Sequence, residues 1–139
     1  MLIDASVILK WFLDEDDSDK AKVIKDGHIS GDFTVVIPDI AIYEIGNALK
    51  YASEFSIDDV NRSIEELYEL SLDIIAPLPD ICNVATEIAY QNNITFYDAF
   101  YIALAKELEL QFFTADAKLY EKTKHLPFVK LLSKLEFTP

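Results

Sequence analysis

The chain has 139 residues, 51% of them hydrophobic and 27% charged, which is enough apolar material for one folded domain and excludes a disordered polymer. Its 12 Lys and Arg stand against 25 Asp and Glu, a formal charge of -13. That balance argues against a broad basic surface that would hold nucleic acid by counterion release alone.

In chain order, short apolar runs rich in Ile, Val and Phe alternate with longer stretches of helical period. Leu2–Asp4 reads as a first strand and not as a leader, since no basic segment or small-residue cleavage site accompanies it. Ser6–Phe12 is a short helix, and the acidic run Asp14 to Asp19 leads into a helix over Ser18–Asp26. Phe33–Ile37 is a second strand stopped by Pro38, and Asp39 is the expected N-cap of a nearly all-apolar helix ending near Ala52. Ser56 caps an amphipathic helix to Leu70, Asp73–Leu78 is a third strand, and Pro79 opens a helix ending near Gln91. Thr95 caps the helix Phe96–Leu108, Gln111–Thr114 is a fourth strand, Asp116–Thr123 a helix, and Phe128–Leu132 a last strand. Five strands with helices between them predict an α/β fold, a single domain over residues 1–139 with a mostly parallel sheet covered on both faces.

Other classes fall away on composition. Gly27, Gly31 and Gly46 are the only glycines, too few for a Gly-rich phosphate cradle. No uncharged run reaches the roughly 18–20 residues that span a bilayer. Cys82 stands alone, so no intrachain disulfide forms and a reducing, cytoplasmic setting is the default. His28 and His125 are isolated and read as surface residues.

Four carboxylates stand out from the many that line solvated faces. Asp4 ends the first strand, Glu44 lies deep in the apolar helix, Asp98 is enclosed by Phe96, Tyr97, Ala99, Phe100 and Tyr101, and Asp116 ends the fourth strand. An ionised carboxylate in apolar surroundings needs a base, a helix N-terminus or a cation. Asp4, Asp98 and Asp116 each have an alternative reading as helix caps. Glu44 has none, and the single arginine, Arg62, sits on a surface-type helix. Ligands of open α/β sheets bind at the carboxyl ends of the strands, where all four acids can meet. An all-oxygen set of this kind suits Mg²⁺ or Mn²⁺.

These residues carry a resemblance. Leu2-Ile3-Asp4-Ala5-Ser6-Val7, Glu44 with Asn47-Ala48-Leu49, Tyr97-Asp98-Ala99 with Tyr101-Ile102-Ala103-Leu104-Ala105, and Phe113-Thr114-Ala115-Asp116 resemble the motifs of PIN-domain ribonucleases, specifically VapC toxins of prokaryotic toxin–antitoxin pairs. The resemblance implies a Rossmann-like three-layer α/β/α sandwich with strand order 3-2-1-4-5. It also implies that Asp4, Glu44, Asp98 and Asp116 form an acidic metal-binding and catalytic quartet, with Ser6 and Thr114 as polar neighbours. Asn47 lies one turn beyond Glu44 and is expected to meet Glu44, substrate or neighbouring helices. The implied reaction is metal-assisted endonucleolytic hydrolysis of RNA, leaving a 5′-phosphate and a 3′-hydroxyl.

An acidic surface repels RNA, so approach is expected to be local, through Lys10 and the Lys118–Lys124 group. The same acidity suits a basic protein partner, and the resemblance implies an antitoxin with a basic tail, whose Arg or Lys would replace the metal electrostatically. Tyr43, Tyr51, Phe55 and Trp11 are candidate surface for that partner or for a homodimer, with core packing the commoner fate of such residues. Rival readings are a housekeeping PIN nuclease without antitoxin, a non-catalytic PIN scaffold, and a phosphoacceptor receiver domain. The receiver is disfavoured because no pair of adjacent acids follows the first strand.

Overall fold

The computed structural model describes residues 1–137. Five parallel strands, β1 (Leu2–Ile3), β2 (Val36–Pro38), β3 (Asp73–Ile75), β4 (Phe112–Thr114) and β5 (Val129–Leu131), form one sheet in the order β3-β2-β1-β4-β5. Leu2 is in register with Val36 on one side and Phe112 on the other, so β1 is central. The helices are α1 (Ala5–Ile8), α2 (Ser18–Ser30), α3 (Ile40–Tyr51), α4 (Ile57–Glu69), α5 (Pro79–Asn92), α6 (Phe96–Glu107) and α7 (Ala117–Thr123). From β1 the chain steps to β2 and β3 on one side, then crosses to β4 and β5 on the other. Right-handed crossovers put α1–α4 on one face and α5–α7 on the opposite face. The packing pairs α1–α3, α3–α4 and α5–α6 fit that division. The order reverses between β1 and β4, which makes their carboxyl ends the ligand-binding crevice of such a sheet.

Every strand is shorter than its apolar run predicts. The runs at 33–37 and 73–78 yield only Val36–Pro38 and Asp73–Ile75 as paired residues, and Pro38, expected to stop β2, is its last residue, in register with Ile75. Apolar patterning marks what is buried, and residues flanking a strand can be buried without pairing, as Val35 is. Phe33 is partly buried, its ring lying over Gly27, where an added Cβ would stand 2.4 Å from Phe33 Cζ. Gly27 therefore sits inside α2, and that helix runs to Ser30 and not to Asp26. Gly31, with φ of 81°, is the residue that stops it.

Capping was read well with one exception. Ser56 and Asp59 cap α4 reciprocally, Ser56 N–H donating to Asp59 Oδ2 at 2.9 Å and Asp59 N–H to Ser56 Oγ at 3.2 Å. Pro79 opens α5 at its first turn. Asp39, expected to cap α3, does not: its backbone is already helical (φ −60°, ψ −28°), a geometry that turns the side chain away from the free N–H groups. The predicted helix Ser6–Phe12 is split into α1 and a 3₁₀ turn at Leu9–Trp11.

In α6 the seven residues from Ala99 to Ala105 are all buried. The helix is apolar all round because the sheet covers one side and α5 another. Only its ends reach the surface, and Asp98 is at the end that meets the crevice. Among the described residues no helix is long and apolar enough to cross a membrane.

Candidate active site

Asp4 follows β1 directly and is buried, 6% exposed. Its Oδ1 accepts from Ser6 Oγ–H at 2.5 Å and from Val7 N–H at 3.3 Å, and its Oδ2 accepts from Thr114 Oγ1–H at 2.5 Å. Asp4 thus caps α1 and, at the same time, ties β1 to β4. Burial pushes its carboxyl up to about 7; the donors from Ser6, Thr114 and Val7 oppose the rise, and the charge of Asp98 adds to it.

The two hydroxyls extend this arrangement. Ser6 Oγ accepts from Ala115 N–H at 2.9 Å, and Thr114 Oγ1 accepts from Asp116 N–H at 3.1 Å. The loops after β1 and β4 are therefore locked to each other through Asp4. Asp116, exposed at the end of that loop, caps α7: its Oδ1 accepts from Lys118 N–H at 2.9 Å and Leu119 N–H at 3.1 Å. Its capping role holds, and it leaves Oδ2 without a partner among the described residues.

The other two acids come from helices on opposite faces of the sheet. Glu44, half-buried on α3, accepts from Tyr101 Oη–H at 2.9 Å. Asp98 lies in the first turn of α6, where its N–H donates to Thr95 Oγ1 at 3.1 Å. The return bond that would complete a capping box is not made, so the Asp98 carboxylate stays available. Burial raises the carboxyls of both Glu44 and Asp98 above their ordinary range. Asp98 adds to the rise at Glu44, and Asp116 adds to the rise at Asp98. Asp98 is the one acid that acts on two others, Asp4 and Glu44, and is acted on by Asp116.

All four predicted acids thus share the carboxyl edge of the sheet and a common field. They do not close into a coordination shell: among the described residues no group of three or more His, Cys, Asp or Glu side chains is set to hold a metal ion. None takes part in an ion pair either, since the three ion pairs among the described residues are Lys10–Glu15, Lys20–Asp17 and Lys124–Glu121. Hydroxyl and amide donors hold the carboxylates instead.

The remaining predicted residues divide. Ser6 and Thr114 bond Asp4 directly. Asn47 is exposed and makes no side-chain hydrogen bond among the described residues. Lys10 is drawn to the acidic loop before α2, its Nζ 3.3 Å from Glu15 Oε2 and 2.7 Å from Asp16 O. Lys122 donates to Asn93 O, and Lys124 pairs with Glu121, so of that basic group Lys118 alone is without a bonded amine among the described residues.

Two of the residues offered as surface turn inward, Trp11 to the core packing that is the commoner fate of such a residue. Trp11 is buried, and its Nε1–H donates to Ala21 O at 2.8 Å, because an indole packed inside needs a partner for its one polar atom. His28 is a half-buried brace and not a free surface side chain: Nε2 donates to Leu70 O at 2.7 Å, and Nδ1 accepts from Val35 N–H at 3.1 Å. His125 is exposed, as expected.

Tyr101 is a site residue that its motif alone does not single out. It is buried, and desolvation together with the charges of Glu44 and Asp4 holds its phenol protonated, well above its ordinary value. It is therefore a committed donor to Glu44. The available signal was its place three residues after Asp98, on the same helical face, as a tyrosine that must find a partner if buried.

A family model described as "PIN domain" matches residues 1–125. The chain belongs to the PIN-domain family. This PIN domain is 29% identical over 126 residues to the ribonuclease VapC3 of Pyrobaculum aerophilum, an alignment covering 88% of this chain and 93% of that protein. Its fold is shared by PAE2754 from the same organism, at a TM-score of 0.70 and 23% identity, over 95% of this chain and 83% of the other. It is also shared by a toxin–antitoxin complex from Klebsiella pneumoniae, at a TM-score of 0.73 and 16% identity, over 96% and 98% of the two chains. The fold class and strand order expected from the sequence are those observed, and the sheet is parallel throughout.

Proposed function

We propose that this PIN domain is a Mg²⁺- or Mn²⁺-dependent endoribonuclease and the toxin member of a toxin–antitoxin pair, acting in the cytoplasm where its RNA substrate is found. The observation that carries the reading is Asp4, a buried carboxylate with no basic partner among the described residues, flanked at one sheet edge by Glu44, Asp98 and Asp116. The donor set is all carboxylate oxygen, hard and anionic, and fits a hard divalent cation. Asp4, Asp98, Asp116 and Glu44 are the residues that would hold it. When bound, such an ion supplies an acidified water and stabilises charge on the phosphate.

The chain's own residues prepare that chemistry. Ser6 and Thr114 fix both oxygens of Asp4, Tyr101 fixes one oxygen of Glu44, and the first amides of α7 fix Asp116. With no histidine at this edge, proton transfer from the attacking water falls to a carboxylate, and Glu44 and Asp98, both raised by burial, are the ones placed for it. A charge of -13 favours a basic partner, which supports an antitoxin whose Arg or Lys enters the acidic crevice. Tyr43 and Tyr51, both well exposed on α3, are the surface offered to that partner or to a second copy.

The test compares wild type with Asp4→Asn and Asp98→Asn on a mixed RNA substrate, with Mg²⁺, with Mn²⁺ and with EDTA. Cleavage is expected only in wild type with metal, with 5′-phosphate ends. Cleavage that survives chelation or either substitution overturns the assignment.

A further inference from the structure

Between the first turns of α3 and α6 lies an open cleft of about 150 Å³, lined by Asp39, Ile40, Pro77, Phe96, Tyr97 and Phe100. It is smaller than the ~300–1,000 Å³ clefts that take drug-sized ligands, and so suits one planar ring system. Three of its six lining residues are aromatic. Phe96 and Phe100 stand 6.3 Å apart at 40°, and Tyr97 is 60% exposed. The cleft is set beside the acidic crevice by its lining residues, which neighbour the site residues along α3 and α6. Tyr97 precedes Asp98, Phe100 precedes Tyr101, and Ile40 is one turn before Glu44 on α3.

Asp39 supplies the polar edge. Its carboxylate caps nothing and makes no hydrogen bond or ion pair among the described residues, although its backbone is pinned by Asp39 N–H to Ile75 O at 3.0 Å. An unpaired acceptor with two oxygens beside aromatic walls selects a ring that offers two adjacent N–H donors. Among the four RNA bases only guanine does so, through N1–H and its 2-amino group.

Resting on the nuclease reading above, we infer that this cleft is a nucleobase subsite that takes an unpaired guanine next to the scissile phosphate. Phe96 and Tyr97 stack the ring, and Asp39 accepts from its Watson–Crick edge. Stacking on exposed aromatics is the usual means of holding single-stranded RNA, and a bidentate contact is what discriminates among bases.

The first arm uses ¹⁵N-labelled protein in EDTA with guanosine, adenosine, cytidine, uridine or inosine, none of which carries phosphate or requires catalysis. Guanosine is expected to shift the Ile40, Tyr97 and Phe100 amides saturably, at about tenfold or more lower concentration than adenosine, cytidine or uridine. Inosine, which keeps N1–H and lacks the amino group, falls between. Asp39→Asn removes the discrimination while leaving thermal unfolding unchanged, because the carboxylate bonds nothing in the fold. Tyr97→Ala weakens all five nucleosides, and Tyr97→Phe restores them. Equal shifts with all nucleosides, or none at those amides, overturn the proposal.

The second arm maps cleavage of a mixed-sequence RNA with Mg²⁺ or Mn²⁺. Wild type is expected to cut beside guanine, and Asp39→Asn to lose that preference about tenfold. Cleavage without base preference overturns the guanine subsite and leaves the nuclease reading standing. Guanosine binding without any RNA cleavage does the reverse. If Asp39→Asn and Tyr97→Ala convert a dimer to a monomer in sedimentation without touching base preference, the cleft is a self-association face and the proposal fails.

Discussion

The two halves of the acidic crevice are built differently. In the β1–β4 half, Asp4 has donors on both oxygens, and Ser6 and Thr114 each serve as donor and acceptor between the two strand-end loops. In the α3–α6 half, Glu44 has one donor, Tyr101, and the Asp98 carboxylate has only the Thr95 hydroxyl, which opposes its rise. The first half is rigid and buried, whereas the second is half open to solvent and its charges act on each other. A site divided this way holds one anchoring carboxylate in place and leaves the others free to adjust to a cation and a substrate.

That contrast can be broken in several ways. The largest effect is expected at the anchor: Asp4→Asn should lower metal-dependent RNA cleavage by about a hundredfold or more, with the fold retained. Measured rates within a few-fold of wild type would show that the rigid half is structural only.

The pH dependence of stability comes next. The Asp4 carboxyl is near 7 in the folded protein and near 3.8 when unfolded, so the native state binds more protons between those values. In EDTA, the contribution of this group is present below about 3.8 and lost as pH rises through about 7. Denaturant titrations should show that decline, on the order of a few kcal/mol, and Asp4→Asn should flatten it. Mg²⁺ or Mn²⁺ added near pH 6 should release protons and restore stability.

Smaller effects distinguish the halves directly. Thr114→Val should cost about 1–3 kcal/mol, because it strips a donor from Asp4 and leaves the Asp116 N–H without its acceptor. Tyr101→Phe should cost about 1 kcal/mol or less, since Glu44 is partly solvated and can turn to water. It should also raise the Glu44 carboxyl further, by removing the hydrogen bond that opposes its burial. If chemical denaturation ranks Tyr101→Phe above Thr114→Val, the assignment of rigid and open halves is inverted.

Much of this was legible in one dimension. Asp4 and Asp116 are marked because a charge that ends an apolar run must leave the sheet at the carboxyl end. Asp98 and Glu44 are marked because neither can reach an all-aqueous helix face. What could not be read was who bonds whom over distance: Thr114 to Asp4 spans 110 residues, and Tyr101 to Glu44 spans 57. Lys10 illustrates the converse, since its proximity to Asp4 in sequence says nothing of the loop carboxylate and carbonyl that hold its amine. The places of His28 and Trp11 were hidden for the same reason: whether a polar ring faces solvent depends on backbone groups contributed by other elements.

By itself, the order of residues determined the alternation of strands and helices, the capping of α4 and α6, and the identity of the four acids, because hydrophobic period and cap chemistry act over a few residues. Only the tertiary structure decided how short the strands are, that Gly27 lies inside a helix to admit the Phe33 ring, and that Tyr101 belongs to Glu44. It also decided that Asp39 does not cap α3 but lies between two helices beside aromatic rings. Burial and field strength depend on groups brought together from distant parts of the chain, and no local pattern encodes that distance.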